Sequence, residues 1–169
     1  MDLKPYLEKA RYSKFNRWLL NTLLLRVVPF NKPHRIQVVA IGDDSVTVKA
    51  KNYRNNRNHV GGVHACLLAT LCEYASGLEL LRNLSPNQYR LLMRSLDISY
   101  HKQARKAAVV TFQLDKEILQ KHIIAPLEEE ESIFREFKVE AFNEEQELLC
   151  TARINWQIKS WKAVKGAKT

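Results

Sequence analysis

Residues 60–81 read Val60-Gly-Gly-Val-His-Ala-Cys-Leu-Leu-Ala-Thr-Leu-Cys-Glu-Tyr-Ala-Ser-Gly-Leu-Glu-Leu-Leu81. Polar interruptions are so few that the segment predicts a long helix, apolar nearly all round, and such a helix is buried on every side rather than laid on a surface. Pro86 punctuates its exit.

Working outward, the apolar period changes from helical to two. Ile36, Val38 and Ala40, then Val46, Val48 and Ala50, predict a hairpin about Gly42-Asp43-Asp44. Residues 51–58 are polar and Asn-rich, a loop. Beyond the helix, Leu92, Leu96, Ile98 and Tyr100 predict one strand face, and Ala108, Val110, Phe112 and Leu114 another. A short helix from Asp115 to about Ala125 is expected to stop at Pro126, with Glu128–Glu131 as an acidic connector. A last hairpin uses Ile133, Phe137, Val139 and Ala141, turns at Asn143-Glu144-Glu145 and returns through Ala152, Ile154, Trp156 and Ile158. No strand–helix–strand crossover series is visible, which argues against a parallel doubly wound sheet. The simplest architecture is α+β: six antiparallel strands wrapped around one apolar helix, in a single domain over residues 1–169.

Ahead of that domain, residues 4–28 predict an amphipathic helix, with Pro5 in its first turn and Phe15, Trp18, Leu19 and Leu23 as its apolar stripe. Residues 1–28 hold six basic and two acidic side chains, a net +4. A basic amphipathic helix can lie on a membrane surface. The reading adopted is that it packs its stripe on the domain, with peripheral membrane contact through residues 1–30 as the alternative. The apolar run is broken by Asn21, Arg26 and Pro29 and is too short to span a bilayer. The end of the chain, 159–169, is a basic tail expected to fray (Lys159, Lys162, Lys165, Lys168).

The whole chain carries 27 Lys and Arg against 18 Asp and Glu, a net +9. That excess points to anionic partners. Nucleic acid is not among those expected, because no RNP, KH, zinc-finger or Gly-rich motif accompanies the charge. Cys66, Cys72 and Cys150 form neither a disulfide framework nor a metal knuckle; they read as small core residues of a cytoplasmic protein. His59 and His64 lack a third ligand, so no metal is expected. His34, His101 and His122 stand alone.

Glu73 is the residue that needs a reason. A carboxylate among Leu67, Leu68, Leu71, Cys72, Ala75 and Leu78 costs several kcal/mol unless paired or protonated, and buried carboxylates mark functional sites. It either works chemically, or faces a polar seam, or pairs with a basic residue. Glu79, six positions on, falls on another face. The helix start at His64 exposes unpaired N–H groups that can hold an oxyanion or polarise a carbonyl. Nine residues span about 13 Å of helix, so one subunit cannot bring both groups to one carbonyl, but two antiparallel helices in a dimer can.

His64-Ala-Cys-Leu-Leu-Ala-Thr-Leu-Cys-Glu73 resembles the His-Gly-Gly…Asp/Glu segment of hotdog-fold acyl-CoA thioesterases of the phenylacetate-pathway type. The preceding Asn-rich loop and the strand Ser95-Leu-Asp-Ile-Ser-Tyr100 are similar as well, and the likeness runs over roughly 33–158, including a branch of that superfamily without an assigned function. It implies the hotdog fold with an added N-terminal helix, and a thioesterase acting as a homodimer or a dimer of dimers. Glu73 would be general base or nucleophile, with the N–H of Ala65 or Cys66 of the partner subunit polarising the carbonyl. His64 and Asn58 would shape the loop and orient substrate or water, Gly62 would serve the same loop, and Ser76 would position water. The substrate would be an acyl-CoA or acyl-carrier thioester, with no cofactor beyond the coenzyme A of the substrate. Its phosphates would lie near Arg57, Lys102 and Arg105, with Arg54 and Lys106 beside them. Ala65 and Cys66 replace both family glycines, which narrows the site. The alternative is a non-catalytic acyl-CoA- or lipid-binding hotdog protein.

Overall fold

The central helix α3 (Ala65–Asn83) runs through the concave side of a six-stranded antiparallel sheet. The computed structural model describes residues 2–163. The strands are β1 (Gln37–Ile41), β2 (Ser45–Lys51), β3 (Tyr89–Tyr100), β4 (Ala107–Gln113), β5 (Ser132–Phe142) and β6 (Leu148–Ser160). Their order is β1-β2-β4-β5-β6-β3. Register follows the alternation in the sequence: Val46, Val48 and Ala50 of β2 face Phe112, Val110 and Ala108 of β4. Ile133, Val139 and Ala141 of β5 likewise face Ile158, Ala152 and Cys150 of β6. All twelve side chains are buried, nearly all on α3 and each other; full burial of one Val, Ile or Phe contributes about 1.5–3 kcal/mol. This is the expected α+β architecture.

The N-terminal segment departs from the single helix expected. It forms α1 (Lys4–Tyr12) and α2 (Lys14–Val27), broken at Ser13, whose backbone is extended and whose Oγ accepts the Asn16 N–H. A serine cap starts a new helix and changes its direction. The buried residues of these helices are Leu7, Ala10, Leu20 and Leu24, whereas Phe15, Trp18 and Leu19 are exposed. α2 also covers the β1 edge: Asn21 accepts the Val38 N–H through Oδ1 and donates to the Val38 carbonyl through Nδ2.

Four further expectations are corrected. α3 begins at Ala65, because 57–63 form a loop closed by an Arg57–Val63 bridge and by Gly61 at φ 81°. A bulge between Met93 and Ser95 shifts the alternation of β3, so Leu92 is exposed while Leu91, Leu96 and Ile98 pack on the core. The helix after β4 passes Pro126: α4 (Lys116–Leu119) widens into a π turn over 120–124 and continues as α5 (Ala125–Glu129), Pro126 sitting in the first turn of α5 where its missing N–H is tolerated. The supposed tail begins inside β6, where Lys159 pairs with Arg90 and Ser132; Lys165 and Lys168 lie outside the described residues.

Candidate functional site

α3 is not sealed on every side. Leu67, Leu68, Leu71, Cys72 and Ala75 are buried, but Cys66 is exposed, and Ala69, Thr70 and Glu73 are only partly covered. With Gly77 these positions repeat at helical spacing and form a stripe, most of which opens onto a cavity of about 630 Å³. Leu24, Val27, Phe30 and Asn31 wall the cavity on one side, and Leu91, Met93, Leu96 and Trp156 on the other. A Cβ at Gly77 would lie 3.2 Å from Trp156 Cη2 and 3.9 Å from Glu73 Oε1, so the missing side chain lets the indole lie against the helix.

Glu73 is half-buried on this wall, and burial pushes its carboxyl above the usual glutamate range. Among the described residues it has no hydrogen-bond or salt-bridge partner. Glu79 is the opposite case. It is 1% exposed and meets Arg82, 5% exposed, at 3.3 Å; Arg82 reaches Glu8 of α1 at 2.8 Å, and Asn83 Nδ2 donates to Glu79 Oε1. Sequence reasoning missed this cluster, because it could not see that α1 brings Glu8 to the end of α3.

It missed Asn31 too. Asn31 is buried on the cavity wall beside the Tyr74 hydroxyl, and its Oδ1 has no partner among the described residues. Ser76 is not on that wall. Its Oγ is buried, accepts Trp156 Nε1–H at 3.1 Å and turns its own proton to the Cys72 or Glu73 carbonyl, so a water-positioning role is replaced by a packing one.

The start of α3 is a second, separate locus. His64 is the N-cap, and its Nδ1 accepts the Cys66 N–H at 3.1 Å, while its carbonyl takes Leu67 and Leu68. That leaves the Ala65 N–H without a partner among the described residues. Tyr100 Oη donates to the Ala65 carbonyl at 3.1 Å. Asn58 Oδ1 accepts the N–H groups of Val60 and Gly62, and a Cβ at Gly62 would lie 2.6 Å from the Gln103 side chain, which would have to shift. Asn58, Ala65, Tyr100 and Lys102 line a hollow of about 350 Å³; Arg57, His64, Cys66 and Thr70 line another of about 250 Å³. Thr70 belongs to both this last hollow and the Glu73 cavity.

The basic residues are partly engaged. Arg57 donates to Asn52, Lys102 pairs with Glu147, and Lys106 pairs with Glu145 at 2.7 Å. Arg105 and Arg54 have no carboxylate partner among the described residues. Cys72 and Cys150 are core residues as expected, their thiols in mutual contact, and that contact together with burial pushes the Cys72 thiol up. Among the described residues no three His, Cys, Asp or Glu side chains are grouped to hold a metal, and no helix is long and apolar enough to cross a membrane.

A mixed structure with six antiparallel strands curled around one helix defines the hotdog fold. Within it, the chain belongs to the family described as a domain of unknown function (DUF4442), matched over residues 16–158. The sequence matches no curated protein. Among solved structures, a protein of unknown function from Pseudomonas aeruginosa, named a probable thioesterase, superposes with a TM-score of 0.76 at 17% identity, over 83% of this chain and 93% of that one. A thioesterase from Haemophilus influenzae gives 0.65 at 14% identity, over 88% and 92%. A protein of unknown function from Chlorobaculum tepidum gives 0.72 at 11% identity, over 82% and 91%.

Proposed function

We propose that this protein hydrolyses an acyl thioester, of coenzyme A or of an acyl carrier, in a homodimer whose two α3 helices each complete the other's site. The observation that carries this reading is Glu73: a carboxyl with no partner among the described residues, on the wall of an apolar cavity large enough for an acyl chain. The thioesterase names of the solved structures with this fold support it.

In the general-base form, ionised Glu73 accepts a proton from water as the water oxygen attacks the thioester carbonyl carbon. The negative charge that develops on the carbonyl oxygen is held by the Ala65 N–H at the start of the partner's α3. Collapse breaks the C–S bond, and the thiolate takes the proton back from Glu73. A direct attack by the Glu73 carboxylate, through an anhydride that water then opens, uses the same geometry. The Cys66 N–H is withdrawn from this work by His64 Nδ1, so the oxyanion has one backbone donor rather than two. Arg57, Arg105 and Lys102 supply positive charge for the coenzyme phosphates. The engaged Cys66 N–H also favours the second reading, an acyl-CoA- or lipid-binding protein without turnover.

Two variants separate these readings. Glu73→Gln removes the base and should lower hydrolysis by about 10²–10⁴-fold. Ala65 is the first residue of α3, where proline is well accommodated, so Ala65→Pro deletes one N–H with the helix intact and should cost about 10²–10³-fold. Refolded together, the two inactive proteins should regain about a quarter of the wild-type rate, since half of the assorted dimers are mixed and each carries one intact site. Activity in Glu73→Gln, or no recovery on mixing, overturns the shared-site mechanism. A tight acyl-CoA complex with no hydrolysis by the wild type establishes the binding protein instead.

A further inference from the structure

The two N-terminal helices have two apolar faces where packing requires one. Leu7, Ala10, Leu20 and Leu24 already seat them on the body. On the opposite side Tyr12, Phe15 and Trp18 are 80%, 65% and 61% exposed, with Leu19 beside them. Phe15, Trp18 and Leu19, spaced by three and four, share one face of α2, and Tyr12 ends α1 just before the break at Ser13. The Phe15 and Trp18 rings lie against each other with centroids 6.1 Å apart, one continuous apolar surface rather than scattered side chains. Lys14 and Arg26 flank it, both exposed and without a carboxylate partner among the described residues.

We propose that this face docks the protein on an anionic phospholipid surface. Indole and phenol rings settle at the headgroup level of a bilayer, and a helix with aromatic and leucine side chains on one face and cations at its margin lies in that interface. Charge complementarity selects the occupant: residues 1–28 carry six basic side chains and two acidic ones, and with Arg11 paired to Asp43 and Glu8 to Arg82, five basic side chains remain against one acidic. At the far end of α2 the apolar surface passes to Val27 and Phe30, both exposed and both lining the Glu73 cavity, so a docked molecule holds that cavity beside the lipid. The docking stands whether or not the cavity turns over a thioester.

The test is flotation of the full-length protein with vesicles of phosphatidylcholine containing about 30% phosphatidylserine, beside vesicles of phosphatidylcholine alone. The protein should float with the anionic vesicles and be released by salt. Phe15→Ser with Trp18→Ser should weaken partitioning by at least about thirtyfold, and Lys14→Gln with Arg26→Gln by about thirtyfold on the anionic vesicles only. Because all four side chains are exposed, an unchanged Tm verifies the fold of each variant. Absence of flotation, equal binding to neutral vesicles, or binding undiminished in either double variant overturns the proposal. So does a fall in oligomeric mass of Phe15→Ser/Trp18→Ser without lipid, which would mean that a second copy covers the face.

Discussion

Glu73 and Glu79 stand six residues apart on one helix, and their surroundings could hardly differ more. Burial pushes both carboxyls up; Arg82 and Asn83 offset part of that for Glu79, which stays raised, whereas nothing in the described structure does so for Glu73. One face of α3 near its C-terminal end is closed by an ionic cluster that also ties α1 to the domain; another, through Thr70, Glu73 and Gly77, opens on the cavity. A carboxylate that serves the fold comes with its counter-ion. The one that lines the cavity without a partner among the described residues is the one the proposed mechanism uses.

The sharpest way to break this contrast is to take away the counter-ion. Arg82→Met leaves Glu79 buried and uncompensated, and should cost about 3–5 kcal/mol by chemical denaturation at neutral pH, less in acid where Glu79 is neutral. A loss under about 1 kcal/mol would mean that the cluster is idle. A smaller cut, Asn83→Ala, removes one donor to Glu79 and should cost about 1–3 kcal/mol.

The Glu73 side of the comparison runs the other way. Its folded-state pKa is raised, so the protonated form is the one that folding favours. Its contribution is therefore complete below the ordinary value of 4.5 and is lost as pH rises through the raised value. Glu73→Gln should accordingly raise Tm at neutral pH and converge on the wild type in acid. A Glu73→Gln protein less stable than the wild type at neutral pH would reveal a hidden partner. The same direction sets the acid limb of any hydrolysis: activity should rise with pH through a midpoint above 4.5, as Glu73 ionises.

The apolar run of α3 and the alternation of β2, β4, β5 and β6 were readable from the sequence, because a helix buried over most of its surface carries few polar side chains and a strand buried on one face alternates. What escaped were local devices of one or two residues. The Ser13 cap splits a helix whose apolar stripe then turns outward; the β3 bulge slides Leu92 to the surface; the π turn carries a helix through Pro126. Each shifts which side chain faces the core while leaving the hydrophobic pattern untouched. The candidate site divides in the same way. Glu73 stood out as a charge in apolar company, and the start of α3 stood out as a helix terminus. That His64 takes the Cys66 N–H, that Trp156 takes Ser76, and that Asn31 lines the cavity are facts of tertiary contact, with no counterpart in spacing.

The side chain of Asn21 has a reach beyond its two hydrogen bonds. A sheet with two bare margins can be lengthened at either end, copy after copy, into a filament. Here one margin, β1, is answered at Val38 by an amide from α2, and β3 is the margin at the other end. At Val38, therefore, the β1 margin has neither a free N–H nor a free carbonyl to offer an added strand, and the asparagine acts there as a stopper.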